Sequence, residues 1–231
     1  MEDFVSVIKQ IVRTEIAARP QSGLGRVEAV HVPDAAGQTQ YACDVALQGS
    51  DAVYEKVPLS SGYLGQLTPP VVGDVVVIQF VTGDPDNPVI TGFVFTEAVP
   101  AAEVAEGESV LTLPHDAAEA DRIETRQTAG SNGSRVWKVT LPEGPELTIT
   151  DTAVTAVIDD FQVSIDADAG EATVTSGGAT ITLNGSGEIA VACDADMSFE
   201  AGGNLTIKAN GNAEIEASGT MALKGAKIDL N

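Results

Sequence analysis

Two histidines, two cysteines and a few closely spaced aspartates are the side chains of this 231-residue sequence best equipped for chemistry. His31 or His115 could act as a general base, but a nucleophilic serine on a Gly-x-Ser-x-Gly turn is missing. Asp159 and Asp160, or Asp166 and Asp168, could form carboxylate pairs or hold calcium. Neither EF-hand nor nonapeptide spacing accompanies them, so they read as acidic turns on a solvated face. Cys43 and Cys193 are distant in sequence and lack zinc-site neighbours. They read as small apolar interior residues, in keeping with assembly in a reducing cytoplasm. The glycines at 130 and 133 do not form a phosphate loop. No catalytic, cofactor or metal set is expected, and the protein reads as a non-enzyme.

The charge excludes further functions. Residues 1–98 carry 5 Lys/Arg against 12 Asp/Glu, and residues 99–231 carry 7 against 22. A surface this acidic repels phosphate backbones and anionic head groups, so no nucleic-acid partner is expected. A β-domain that gripped single-stranded nucleic acid would need a basic groove and stacking aromatics, and aromatics make up only 4 % of the chain. Glu2 and Asp3 stand where a signal peptide would be basic. No apolar run approaches the ~20 residues of a membrane span.

The elements that would position these residues are mostly strands. Residues 3–18 form the exception, an amphipathic helix with Phe4, Val5, Ile8, Ile11, Val12 and Ile16 at three- and four-residue steps. Asp3 is its expected N-cap, and Pro20 ends it. So short a helix is marginal alone, so its stripe should dock on the next domain or on a partner. Strands are predicted at 24–32, 40–48, 54–59, 74–80 and 89–95, separated by turn residues such as Pro33-Asp34 and the run 83–88. Five short strands fit a closed OB-type barrel. An Ala/Glu/Pro-rich linker follows from Thr96 to about Ser109. Further strands are predicted at 110–113, 122–128, 135–141, 147–150, 154–158 and 161–165.

The last fifty residues repeat with a period of eight. Cut from Ile181, the octads begin at Ile181, Ile189, Met197, Leu205, Ala213 and Met221, and their third positions are Leu183, Val191, Phe199, Ile207, Ile215 and Leu223. Fifth positions are all Gly, Ala or Cys. In a strand, positions one, three and five share a face, and glycine near position seven permits a sharp corner. Six octads make too few coils for a single-chain solenoid. Three chains wound into a triangular prism solve this, each strand flanked by strands of the other two chains. Six layers at about 4.8 Å would give a needle section of roughly 29 Å. The expected trimer core is Ile181, Leu183, Ile189, Val191, Met197, Phe199, Leu205, Ile207, Ile215, Met221 and Leu223.

These octads, ending in residues 225–231, resemble the valine–glycine repeat spikes of type VI secretion and phage tails. The segments 70–80 and 83–92, Pro-Val-Val-Gly-Asp-Val-Val-Val-Ile-Gln-Phe and Gly-Asp-Pro-Asp-Asn-Pro-Val-Ile-Thr-Gly, are similar to the OB domain of phage baseplate assembly protein V. The opening helix followed by Gly25-Arg26-Val27 fits the same family. The resemblance implies four regions: an N-terminal helix (1–22), an OB domain (23–98), a linker with the first spike strands (99–130) and a trimeric β-helix (131–231). It implies a homotrimeric spike in the baseplate of a virion or injection particle. The OB domain would dock on a trimeric hub, and the needle would transmit force and make transient contact with the target envelope on sheath contraction. No length remains for a lysozyme domain. No histidine follows His115, so no iron-bound apex is expected. Lys227, Ile228, Asp229, Leu230 and Asn231 would instead form a docking end for a conical tip protein of the proline–alanine–alanine–arginine (PAAR) type. Two other readings stay open: a trimeric receptor-binding tail fibre, and a β-helical polysaccharide-degrading enzyme.

Overall fold

The structure is a computed structural model that describes residues 2–18, 22–34, 40–62, 64, 67–130 and 133–229. It is mainly β, with one N-terminal helix, α1 (Glu2–Ala18). The helix begins one residue before the expected cap, and Pro20 lies outside the described residues. The stripe of α1 stays bare: Phe4 is 70 % exposed and Ile11 56 %.

Five antiparallel strands follow: β1 (Ser22–His31), β2 (Ala42–Leu47), β3 (Val53–Pro58), β4 (Val75–Phe80) and β5 (Pro88–Val94). Their order is β3-β2-β1-β4-β5. The two edges meet at one point, where Leu59 and Ile90 form a parallel bridge and Ser60 N donates to Ile90 O at 2.8 Å. The sheet thus curls without a full closing ladder, the partly open form of a five-stranded Greek-key barrel. Alternation sends Val27, Cys43, Val45, Val57, Val76, Ile78, Phe80 and Ile90 inward as one core. Tyr54 meets Phe80 edge to face at 5.3 Å. Gly25 is needed at one crossing, since a Cβ there would lie 2.4 Å from Val45 Cγ1.

A second sheet has nine strands: β6 (Glu108–Leu113), β7 (Ile123–Ala129), β8 (Arg135–Thr140), β9 (Glu146–Thr150), β10 (Ala153–Ile158), β11 (Phe161–Asp166), β12 (Glu171–Ser176), β13 (Ala179–Asn184) and β14 (Ile189–Cys193). Each pairs antiparallel with the next in an unbroken meander. The turns suit their residues. Asp159 takes a positive φ of 50° in the two-residue hairpin joining β10 to β11. Asp166 Oδ1 accepts from the Asp168 and Ala169 N–H groups at 2.9 Å, capping the next loop.

The sheet departs from the expected winding at the first two octads. They form β13 and β14, a hairpin within one chain, so these strands are not flanked by strands of other chains on their shared side. The reason is local. Asn184 Oδ1 accepts from Ser186 N at 3.1 Å and Glu188 N at 2.9 Å, and Gly187 at φ 87° completes the reversal. After Cys193 no strand forms among the described residues.

Candidate functional site

Chain reversals of even register keep one set of side chains on one face through all nine strands. One row runs Trp137, Ile149, Val154, Ile165, Ala172, Leu183 and Ile189, each opposite the next on the neighbouring strand. A parallel row runs Val139, Leu147, Ala156, Val163, Val174, Ile181 and Val191. Leu111 and Leu113, opposite Thr125 and Ile123, extend the face to β6. Among the described residues nothing covers it: Phe161 is 60 % exposed, Ile165 56 % and Ile189 67 %.

The reverse face carries a polar row from β7 to β13. Arg126, Lys138, Thr148, Thr155, Ser164, Thr173 and Thr182 stand opposite one another in sequence. The hydroxyls of Ser164 and Thr173 hydrogen-bond across their strands. Lys138 Nζ lies 2.6 Å from Glu146 Oε2 and, with the Thr148 hydroxyl, holds the Glu146 carboxyl below its ordinary range. Glu108 is held low first by the Ala105 N–H, then by Thr128 and Arg126. Such a face can stay in water; the apolar one cannot without cost.

The two sheets meet beside a cleft of about 1070 Å³ lined by Arg26, Asp74, Phe93, Val104, His115 and Arg122, among others. His115, in the connection from β6 to β7, reaches across to the barrel. Its Nε2 lies 3.0 and 3.1 Å from the two carboxylate oxygens of Asp74. Asp74 is buried, and its Oδ2 also accepts from Val71 N at 3.0 Å. His31 is likewise occupied, its Nε2 2.8 Å from Asp44 Oδ1. Sequence reading found no role for either histidine. Their partners are 41 and 13 residues away, a separation no local pattern reveals.

The residues expected in a trimer core divide into two groups. Ile181, Leu183, Ile189 and Val191 lie on the apolar face of β13 and β14. Met197, Phe199, Leu205, Ile207, Ile215, Met221 and Leu223 lie in the strandless segment, with Phe199 76 % and Ile207 83 % exposed. The face also holds Trp137, Leu147, Ile149, Val163, Ile165 and Val174, absent from the expected core although most lie in predicted strands. Strand β12 itself was missed, because Glu171, Thr173 and Thr175 dilute its apolar signal.

At the end, Lys227 Nζ pairs with Asp229 Oδ2 at 2.6 Å and Ile228 is 48 % exposed; Leu230 and Asn231 lie outside the described residues. Cys43 is buried, as expected, and burial with the charges of Asp44 and Asp74 pushes its thiol up to about 11. Cys193 is only half-buried, at the end of β14. No helix among the described residues is long and apolar enough to cross a membrane.

Residues 23–95 match the family described as the type VI secretion system/phage-baseplate injector OB domain. The match spans all but the first residue of the five barrel strands, and it is the family that the segment around Gly83-Asp84-Pro85 resembles. The five-stranded barrel is therefore similar to the OB domain of baseplate injectors. No curated protein matches the chain.

Proposed function

We propose that this chain is the central spike of a contractile phage tail or related injection system, acting as a homotrimer and not as an enzyme. The observation that carries this reading is the pair of apolar rows running across the seven strands β8 to β14, beside a barrel similar to the baseplate injector OB domain. Six strand spacings at about 4.8 Å make that face roughly 29 Å long. Exposed apolar surface on this scale marks an interface in soluble proteins. Three copies whose apolar faces turn toward one axis would form a triangular prism with a dry interior and a hydroxyl-rich exterior. The barrels would then sit together at one end, placed to dock on a threefold hub. Octads after Cys193 would continue the prism as an intertwined needle. Its end, from Lys227 to Asn231, would receive a PAAR-type tip protein.

On sheath contraction the prism would carry compressive load from hub to tip toward a target envelope. The particle baseplate is its proposed location. Native mass spectrometry of the full chain tests the core of this proposal. A trimer is expected at micromolar concentration, and a monomer would remove the spike reading.

A further inference from the structure

The octads after Cys193 carry a second pattern, on the side away from the apolar positions. Fourth positions from the third octad onward are Glu200, Lys208, Glu216 and Lys224, strictly alternating in sign. In a strand the fourth position points opposite to the first and third, so these charges face solvent when Phe199 and Ile207 face inward. All four lie in exposed chain, and none forms an ion pair within the chain among the described residues. The placement is unusual in so acidic a molecule, with only 12 Lys/Arg against 34 Asp/Glu.

Two pairings could bring these positions together, and geometry separates them. If the meander simply continued, the observed register of Leu183 opposite Ile189, moved on by two octads, would set Phe199 opposite Leu205. Glu200 would then face Asn204, and the alternation of charge would have no use. If octads instead stack in parallel, like positions lie over like positions. Glu200 then stands beside Lys208, Lys208 beside Glu216, and Glu216 beside Lys224. Parallel neighbours joined within one chain need a crossover of about a dozen residues or more, and three residues separate position five of one octad from position one of the next. The neighbouring strand must therefore come from another copy.

We infer that Glu200, Lys208, Glu216 and Lys224 form an interchain charge ladder that sets copies of this chain one octad apart in the needle. The inference rests on the trimeric reading and deepens it by naming what fixes the register. A face with uniform apolar repeats would tolerate a slip by whole octads. With the ladder, a stagger of two octads, or none, sets Glu against Glu and Lys against Lys. Like charges directly opposite are destabilising, and each mismatch recurs on three faces.

Two measurements on the full chain decide the matter. Zero-length carbodiimide coupling of the wild type should yield covalent dimers and trimers on denaturing gels. Their cross-linked peptides should join Glu200 to Lys208, Lys208 to Glu216 and Glu216 to Lys224. Separately, Lys208→Glu/Lys224→Glu should lower the Tm by more than about 5 °C in low salt, a gap that narrows in 1 M salt. Adding Glu200→Lys and Glu216→Lys inverts every charge yet restores alternation, and the Tm should recover to within about 2 °C of wild type. The ladder is overturned if the wild type is a trimer but the two-lysine variant melts with it, or if full inversion brings no recovery. Cross-links confined to other pairs would overturn it as well. A monomeric wild type would instead sink the spike reading on which the ladder rests.

Discussion

Every buried side chain among the described residues lies between Gly25 and Ile90, and from Thr91 to Asp229 not one is buried. Yet the barrel and the long sheet share the same raw material: short antiparallel strands of alternating Val, Ile, Thr and Ala. What separates them is curvature. The barrel bends through irregularities near Glu28, Asp44 and the β4–β5 pairing, so its inward faces converge on one another. The nine-stranded meander keeps regular register from β6 to β14 and never turns its apolar face on itself. A sheet that curls makes its own interior. One that does not leaves its apolar face bare.

The comparison can be broken most severely on the long sheet. Val163→Asp would place a carboxylate in the middle of the apolar face, opposite Ala156 and Val174. In a closed trimer three such charges would be buried without partners, at a cost of several kcal/mol each. The expected outcome is loss of the trimer in native mass spectrometry, with barrel amides still protected from hydrogen exchange. An unchanged trimer would show that this face is not the interface.

Damage to the barrel should do the reverse. In Gly25→Ala the new Cβ meets Val45 Cγ1 at 2.4 Å and Ile78 Cδ1 at 3.1 Å. Overpacking of this kind costs about 1–3 kcal/mol. Thermal unfolding should show a lower barrel transition while the subunit mass of the assembly stays as in wild type. Loss of assembly from this change would mean that barrel and sheet are not independent.

The smallest effect concerns pH. Asp44 Oδ1 accepts from Lys56 N and pairs with His31 Nε2, both at 2.8 Å, at the irregularity where β2 meets β3. The Lys56 N–H, then the His31 contact, hold the Asp44 carboxyl below its ordinary range. A depressed carboxylate stabilises the fold above its unfolded pKa of about 3.9 and loses that contribution as pH falls through its folded value. Asp44→Asn should therefore melt below wild type at pH 7, and the gap should shrink as pH drops toward about 3. A gap constant with pH would assign the loss to geometry and not to charge.

The elements themselves were legible in the chain. Strands β1 to β11 fall close to the runs predicted from alternation and turn residues, and the helix is one residue longer than predicted. Alternation, glycine, proline and aspartate report backbone conformation within a few residues, which is why these strands could be placed. In the first two octads the apolar positions share a face as predicted, while after Cys193 no strand forms among the described residues. Pairing was another matter. The first two octads carry the same large, large, small pattern as the rest, but the Asn184 cap turns them back on each other. The links of His115 to Asp74 and of His31 to Asp44 were also out of reach, since they join residues brought together only by the curl of the barrel and the path of the connection. Sequence by itself determined the positions of β1 to β11, the acidic charge balance and the two-sided character of those strands, because these depend on neighbours along the chain. Only the tertiary structure decided that one set of faces meets within the molecule and the other is left bare, because that depends on how far each sheet bends.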